Sequence, residues 1–157
     1  MKGTIKVANS LESLFIKAKP LLGTELARFP WAVEEGQVTQ FQKSLHVDGV
    51  DFVSKREVPL AYSVSIGLWG LPHYALLKNI GLDVKNVVHG EQSFELIEPL
   101  QVGDSYVISQ KLSSLFLKES SKYKQMLLLT IQSVVIDSHG TVFIRKNHTS
   151  IQLEQNE

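Results

Sequence analysis

His46, Asp48 and Asp51, followed by Glu57, are the side chains whose types and spacing best suit acid–base chemistry. An imidazole and carboxylates this close in sequence could move a proton to or from a bound substrate, provided they come within hydrogen-bond reach of it. A solvated loop accounts for the same residues equally well, because 46–56 has no apolar period and contains Gly49. Tyr62, Trp69, Trp31 and Phe94 could wall an apolar tunnel, although aromatic residues in a buried helix or sheet are more often plain core. His89 and Glu91 with Gln92 could line an entrance, or His89 and Gln92 could satisfy backbone groups where a strand begins. No metal site is expected, since the chain has no cysteine and no two histidines stand four apart. Neither a Gly-x-Ser-x-Gly turn nor a phosphate-binding glycine loop occurs, and no cofactor is expected.

The chain that must position these residues has 157 of them, 43% hydrophobic and 20% charged, with zero formal net charge. That length predicts one domain with a core large enough to stand without disulfides. A neutral balance with no basic face beyond 118–124 argues against nucleic acid. No stretch approaches the apolar length of a membrane span and the start lacks a signal-peptide pattern, so a soluble, cytoplasmic protein is expected.

Residues 4–7 read as a short strand, and Asn9 with Glu12 as the cap pair of a helix whose apolar face is Leu11, Leu14, Phe15 and Ala18. Pro20 stops that helix. Segment 26–33 is extended but broken by Pro30, and Glu34-Glu35 open a second helix with Val38, Phe41 and Leu45 on its apolar face. Pro59 opens a helix over 60–70 that is hydrophobic nearly all round and therefore predicted to be buried; Gly81 ends the helical run after Tyr74. From residue 92 the period changes to that of strands, at 92–98, 105–117, 123–136 and 141–153, with turns at 118–122 and 137–140. Residues 126–129 are apolar on both faces, which predicts a central strand.

The order Gln92, Phe94, Pro99-Leu100, Gly103-Asp104 resembles a segment of MaoC-like hydratases and dehydratases, hot-dog folds that act on acyl thioesters. The acidic start of 33–45, Val58-Pro59-Leu60 and the 134–142 hairpin resemble further parts of that family, and the nearest likeness is to its N-terminal, substrate-holding, FAS1-like dehydratase type. The resemblance implies an α+β fold: a single hot-dog domain with a long central helix wrapped by a curved antiparallel sheet, over 21–157, preceded by an extension at 1–20. It implies an acyl-CoA or acyl-carrier-protein thioester as ligand, with Pro59, Tyr62, Trp69, His89, Gln92 and Phe94 as the substrate-binding set. It also implies pairing with a catalytic MaoC-like subunit or with a second copy.

Catalytic members of the family carry Gly-Asp-x-Asn-Pro-x-His, whose Asp and His activate water for addition to an enoyl thioester. No Asp of this chain has a His five positions later, and the Asn-Pro is missing from 44–53. The expectation is a non-catalytic, acyl-binding subunit. The alternatives are a stand-alone homodimeric enzyme, either an unusual hydratase using His46 with Asp48 or Asp51 or a thioesterase using Glu57, and a homodimer that binds acyl thioesters without chemistry.

Overall fold

Alternating apolar and polar side chains build five strands into one antiparallel sheet in the computed structural model, which describes residues 10–45, 51–66 and 73–154. The strands are β1 (Glu25–Ala32), β2 (Val87–Leu96), β3 (Ser105–Ser120), β4 (Lys124–Ile136) and β5 (Val142–Leu153), in the order β1-β3-β4-β5-β2. Three α-helices, α1 (Leu11–Ala18), α2 (Glu35–Ser44) and α3 (His73–Ile80), and three short 3₁₀ segments complete the described chain. The arrangement is the α+β hot-dog architecture implied by the resemblance.

The central strand is β4, as its apolar run predicts: Leu127 and Leu129 are fully buried, while Met126 and Leu128 on the other face are half-buried. The helix-bearing face holds two apolar clusters. In one, Leu11, Leu14 and Ala18 of α1 and Leu76, Leu77 and Ile80 of α3 pack on Leu112, Leu127, Leu129 and Ile131. In the other, Trp31, Val33, Val38, Tyr62 and Ile66 pack on Tyr106, Ile108, Val135 and Ile144. The opposite face carries polar cross-strand pairs, among them Thr130–Thr149 at 2.9 Å and Gln132–Asn147 at 3.1 Å.

Several local expectations are corrected. The cap of α1 is Ser10, whose Oγ accepts from Ser13 N at 3.2 Å; Asn9 and the strand expected at 4–7 lie outside the described residues. Pro30 does not break β1, because this is an edge strand with β3 as its one neighbour, where a missing amide donor interrupts no second ladder. β2 begins at Val87 and ends at Leu96, ahead of Pro99, because Ile97 and Glu98 both turn their amides onto Phe143 O. β3 runs on to Ser120 before its turn.

The helix expected over 60–70 is, in its described part, a 3₁₀ segment at Leu60–Ser65. Its composition explains the tighter form: Val64 is β-branched, and the Ser65 hydroxyl donates to Tyr62 O at 2.7 Å. Nor is it buried all round, since Leu60 is 57% and Val64 47% exposed.

Gly90 lies where β2 shifts register against β5, between His89 and Glu91. A Cβ there would stand 3.0 Å from Ile151 Cδ1 and 3.2 Å from the backbone oxygen of Thr149. Gly90→Val is therefore expected to lower stability by about 1–3 kcal/mol, read as a lower urea midpoint.

Candidate functional site

Tyr62 is the aromatic centre of the site. The 3₁₀ segment starts from Pro59, itself buried, and drives Tyr62 into the second apolar cluster, 2% exposed. Its ring stacks on Trp31 at 6.2 Å and meets Phe41 of α2 edge-on at 5.5 Å. Its hydroxyl donates to Gln37 Oε1 at 2.9 Å, and burial raises its pKa. Tyr62 thus joins α2, β1 and the 3₁₀ segment into one wall.

The floor below that segment is unusually polar. Gln110, Ser133 and Lys146 are buried neighbours in the registers of β3 with β4 and β4 with β5. Lys146 donates to Ile66 O at 2.8 Å and to Val64 O at 3.2 Å, so its ammonium holds the end of the 3₁₀ segment to the sheet. Burial pulls this ammonium down to about 8. Phe94 of β2 lies beside it, 5.8 Å from ring centre to Nζ. One step along β5, His148 Nδ1 is 3.1 Å from Gln92 Oε1, and its ring meets that of His89 edge-on at 4.7 Å.

At the other end of the segment, Arg56 ties 51–57 to the turn before β3. Its Nη2 donates to Asp104 Oδ1 at 2.7 Å and its Nε to Val102 O at 3.2 Å. The Asp104 carboxylate thus serves the turn through Arg56. Arg56 also adopts a left-handed backbone, φ 57°.

Family comparison places this geometry. The model described as FAS1-like, dehydratase domain region matches residues 21–145. This chain belongs to that family. It is a MaoC-like hot-dog domain, similar in fold to one chain of the ChsH1-ChsH2 complex from Mycobacterium tuberculosis, at 13% identity and TM-score 0.71 over 94% of each chain. It is similar also to the C-terminally truncated HadBC (3R-hydroxyacyl-ACP dehydratase) complex from the same organism, at 12% identity and TM-score 0.67, over 83% of this chain and 96% of that one. A MaoC-like dehydratase from Phytophthora capsici is 16% identical with TM-score 0.68, over 89% of this chain and 52% of its own. Identities this low establish the fold alone. No curated protein matches the sequence.

In this FAS1-like domain the described residues among those singled out from sequence fall into three groups. Tyr62 and Pro59 sit in the wall, and His89, Gln92 and Phe94 follow one another along β2 beside β5. Asp51 and Glu57 stand apart on exposed chain: the Asp51 carboxylate accepts from Ser54 N at 3.1 Å, which lowers its pKa, and Glu57 bridges to Gln101. His46, Asp48 and Trp69 lie outside the described residues. Among the described residues, no group of three His, Cys, Asp or Glu could hold a metal ion, and no helix is long and apolar enough to cross a membrane.

Sequence reasoning missed Lys146, Ser133, Gln110 and His148. The available signal was the alternation of β5, which puts Lys146 and His148 in phase with Ile144.

Proposed function

We propose that this chain is the non-catalytic, acyl-chain-binding subunit of a (3R)-hydroxyacyl-thioester dehydratase, or in reverse of an (R)-specific enoyl hydratase, working with a catalytic MaoC-like partner. The observation that carries this reading is that none of the five aspartates is followed five positions later by a histidine. Hydration of an enoyl thioester needs one group to take a proton and another to hold or deliver one, and both must reach the same carbons. Asp51, held anionic by Ser54 on exposed chain, is a poor base for that task.

The aromatic wall of Tyr62, Trp31 and Phe41 supports the binding role. The need for a partner is supported by β2, which ends the sheet and bears Val88, Phe94 and Leu96 at 43%, 36% and 49% exposure. The similar HadBC and ChsH1-ChsH2 structures are complexes. The ligand is an acyl thioester of coenzyme A or of an acyl carrier protein.

Water addition to crotonyl-CoA and longer enoyl-CoA, followed at the enoyl thioester absorbance, tests the reading. Turnover is expected only when a catalytic MaoC-like partner is added. Turnover by the chain alone would overturn it and direct the search to His46, Asp48, Asp51 and Glu57.

A further inference from the structure

Gln110, Ser133 and Lys146 form a polar row crossing three strands between the two apolar clusters. On one side is the row Ile108, Val135, Ile144, and on the other Leu112 and Ile131. Gln110 is 3%, Ser133 4% and Lys146 7% exposed. Gln110 Nε2 donates to Ser133 Oγ at 3.0 Å, yet Gln110 Oε1, fully covered, has no hydrogen-bond partner among the described residues. Lys146 meets two neutral carbonyl oxygens, and no carboxylate among the described residues pairs with it.

A buried ammonium that meets no counter-charge among the described residues costs stability that an apolar side chain of the same shape would not. Such a group calls for an occupant that uses it. Phe94, beside the Lys146 ammonium, is 36% exposed on edge strand β2.

We propose that this row is a binding site for an oxygen function of the acyl group, a ketone or carboxylate beyond the thioester, with Lys146 donating to that oxygen. The inference rests on the acyl-thioester reading above and narrows its substrate class. A plain hydrocarbon tail beside Lys146 would leave its ammonium meeting only the two backbone carbonyls, whereas a ligand oxygen accepts a further N–H from it. A carboxylate satisfies Lys146 by ion pairing and a ketone by hydrogen bonding alone, so the two are separable.

Among the described residues, His148 follows Lys146 on its own strand, Ser133 lies beside it on β4 and Phe94 on β2, with Gln92 two residues away, and the Val64 and Ile66 carbonyls meet it from the 3₁₀ segment and its end. Glu95 is turned to the opposite face, paired with Arg145 at 3.0 Å.

N-acetylcysteamine thioesters carry no phosphate and isolate the acyl group, so their binding to the full chain is the test. Calorimetry compares adipyl with hexanoyl and levulinyl with pentanoyl thioesters, for wild type and Lys146→Met, with circular dichroism confirming the variant's fold. Wild type is expected to favour the oxygenated member of a pair by about tenfold, and Lys146→Met to lose that preference. At pH 9, in two buffers of different ionisation enthalpy, adipyl binding is expected to take up protons in wild type and none in the variant. Preference within the adipyl pair only assigns a carboxylate, and within the levulinyl pair only a ketone. Equal affinities within both pairs, or a preference that survives in Lys146→Met, would overturn the inference and leave acyl-thioester binding standing. Failure of every thioester to bind would remove both.

Discussion

Lys146→Met is expected to be at least as stable as wild type at pH 7, and to lose ground to it by about 2–3 kcal/mol as the pH rises to 10. The sign follows from where the proton sits. In the folded chain burial pulls the Lys146 ammonium down to about 8, whereas an unfolded chain keeps a lysine near 10.4. Below pH 8 both states are protonated and the folded one carries the full cost of a buried charge. Between about 8 and 10.4 the unfolded chain binds more protons, so wild-type stability rises with pH through that window. Methionine has no such window. At neutral pH the variant gains the absent desolvation cost and loses two hydrogen bonds, to Val64 O and Ile66 O. These terms nearly cancel, which makes the pH trend of the difference the sharper observable. Urea midpoints of both proteins at pH 7, 8.5 and 10 measure it, and a constant difference would place Lys146 in water.

The same residue shows where the sequence stops being readable. The 137–140 turn and the end of α3 are local: Asp137 Oδ1 accepts from His139 N and Thr141 N, both at 2.8 Å, and Gly140 and Gly81 take φ of +85° and +103°. Such features need only neighbours in the chain, and they are legible. Lys146 stands in Arg145-Lys146-Asn147-His148, a run that looks like solvated surface. Its burial is decided by registers reaching from Gln110 to Ser133 to Lys146, and by Ile66 arriving from 80 residues away. Alternation tells which side chains share a face, not what covers that face. The 3₁₀ form of Leu60–Ser65 was hidden for the opposite reason, since its apolar residues fit an α-helix well. The competing bond from Ser65 Oγ to Tyr62 O, and the exposure of Leu60 and Val64, become visible only in three dimensions.

Those exposed side chains bear on how the subunit works. Leu60 and Val64 on the 3₁₀ segment and Phe94 and Leu96 on β2 meet water on either side of the buried Lys146, which bonds to Val64 and lies beside Phe94. The wall that would hold an acyl chain is thus buried at Tyr62, and its neighbours on the sheet edge, Phe94 and Leu96, are exposed where a partner subunit is proposed to dock. On the function proposed above, a subunit built this way contributes binding energy and shape, while the proton-moving pair comes from the other half of the assembly.

Tyr62→Ala is accordingly expected to cost about 3–4 kcal/mol of stability and to weaken acyl-thioester binding more than tenfold, whereas Tyr62→Phe is expected to cost about 1 kcal/mol and bind nearly as wild type. Truncation to alanine removes a ring that is 2% exposed and packed between Trp31 and Phe41, so it leaves a cavity at the junction of β1, α2 and the 3₁₀ segment. Phenylalanine keeps the ring and loses only the hydroxyl bond to Gln37 Oε1, on a half-buried side chain whose amide also donates to Glu34 at 3.1 Å. Stability is read from urea unfolding and binding from titration with hexanoyl-N-acetylcysteamine, using the variant under conditions where it remains folded. If Tyr62→Phe weakened binding as much as Tyr62→Ala, the phenol oxygen and not the ring would be the ligand contact, and the apolar wall would lie elsewhere in the domain. If neither affected binding while Tyr62→Ala still destabilised the fold, Tyr62 would be core alone, and the acyl chain would have to run along the β2 side, past Phe94 and Lys146.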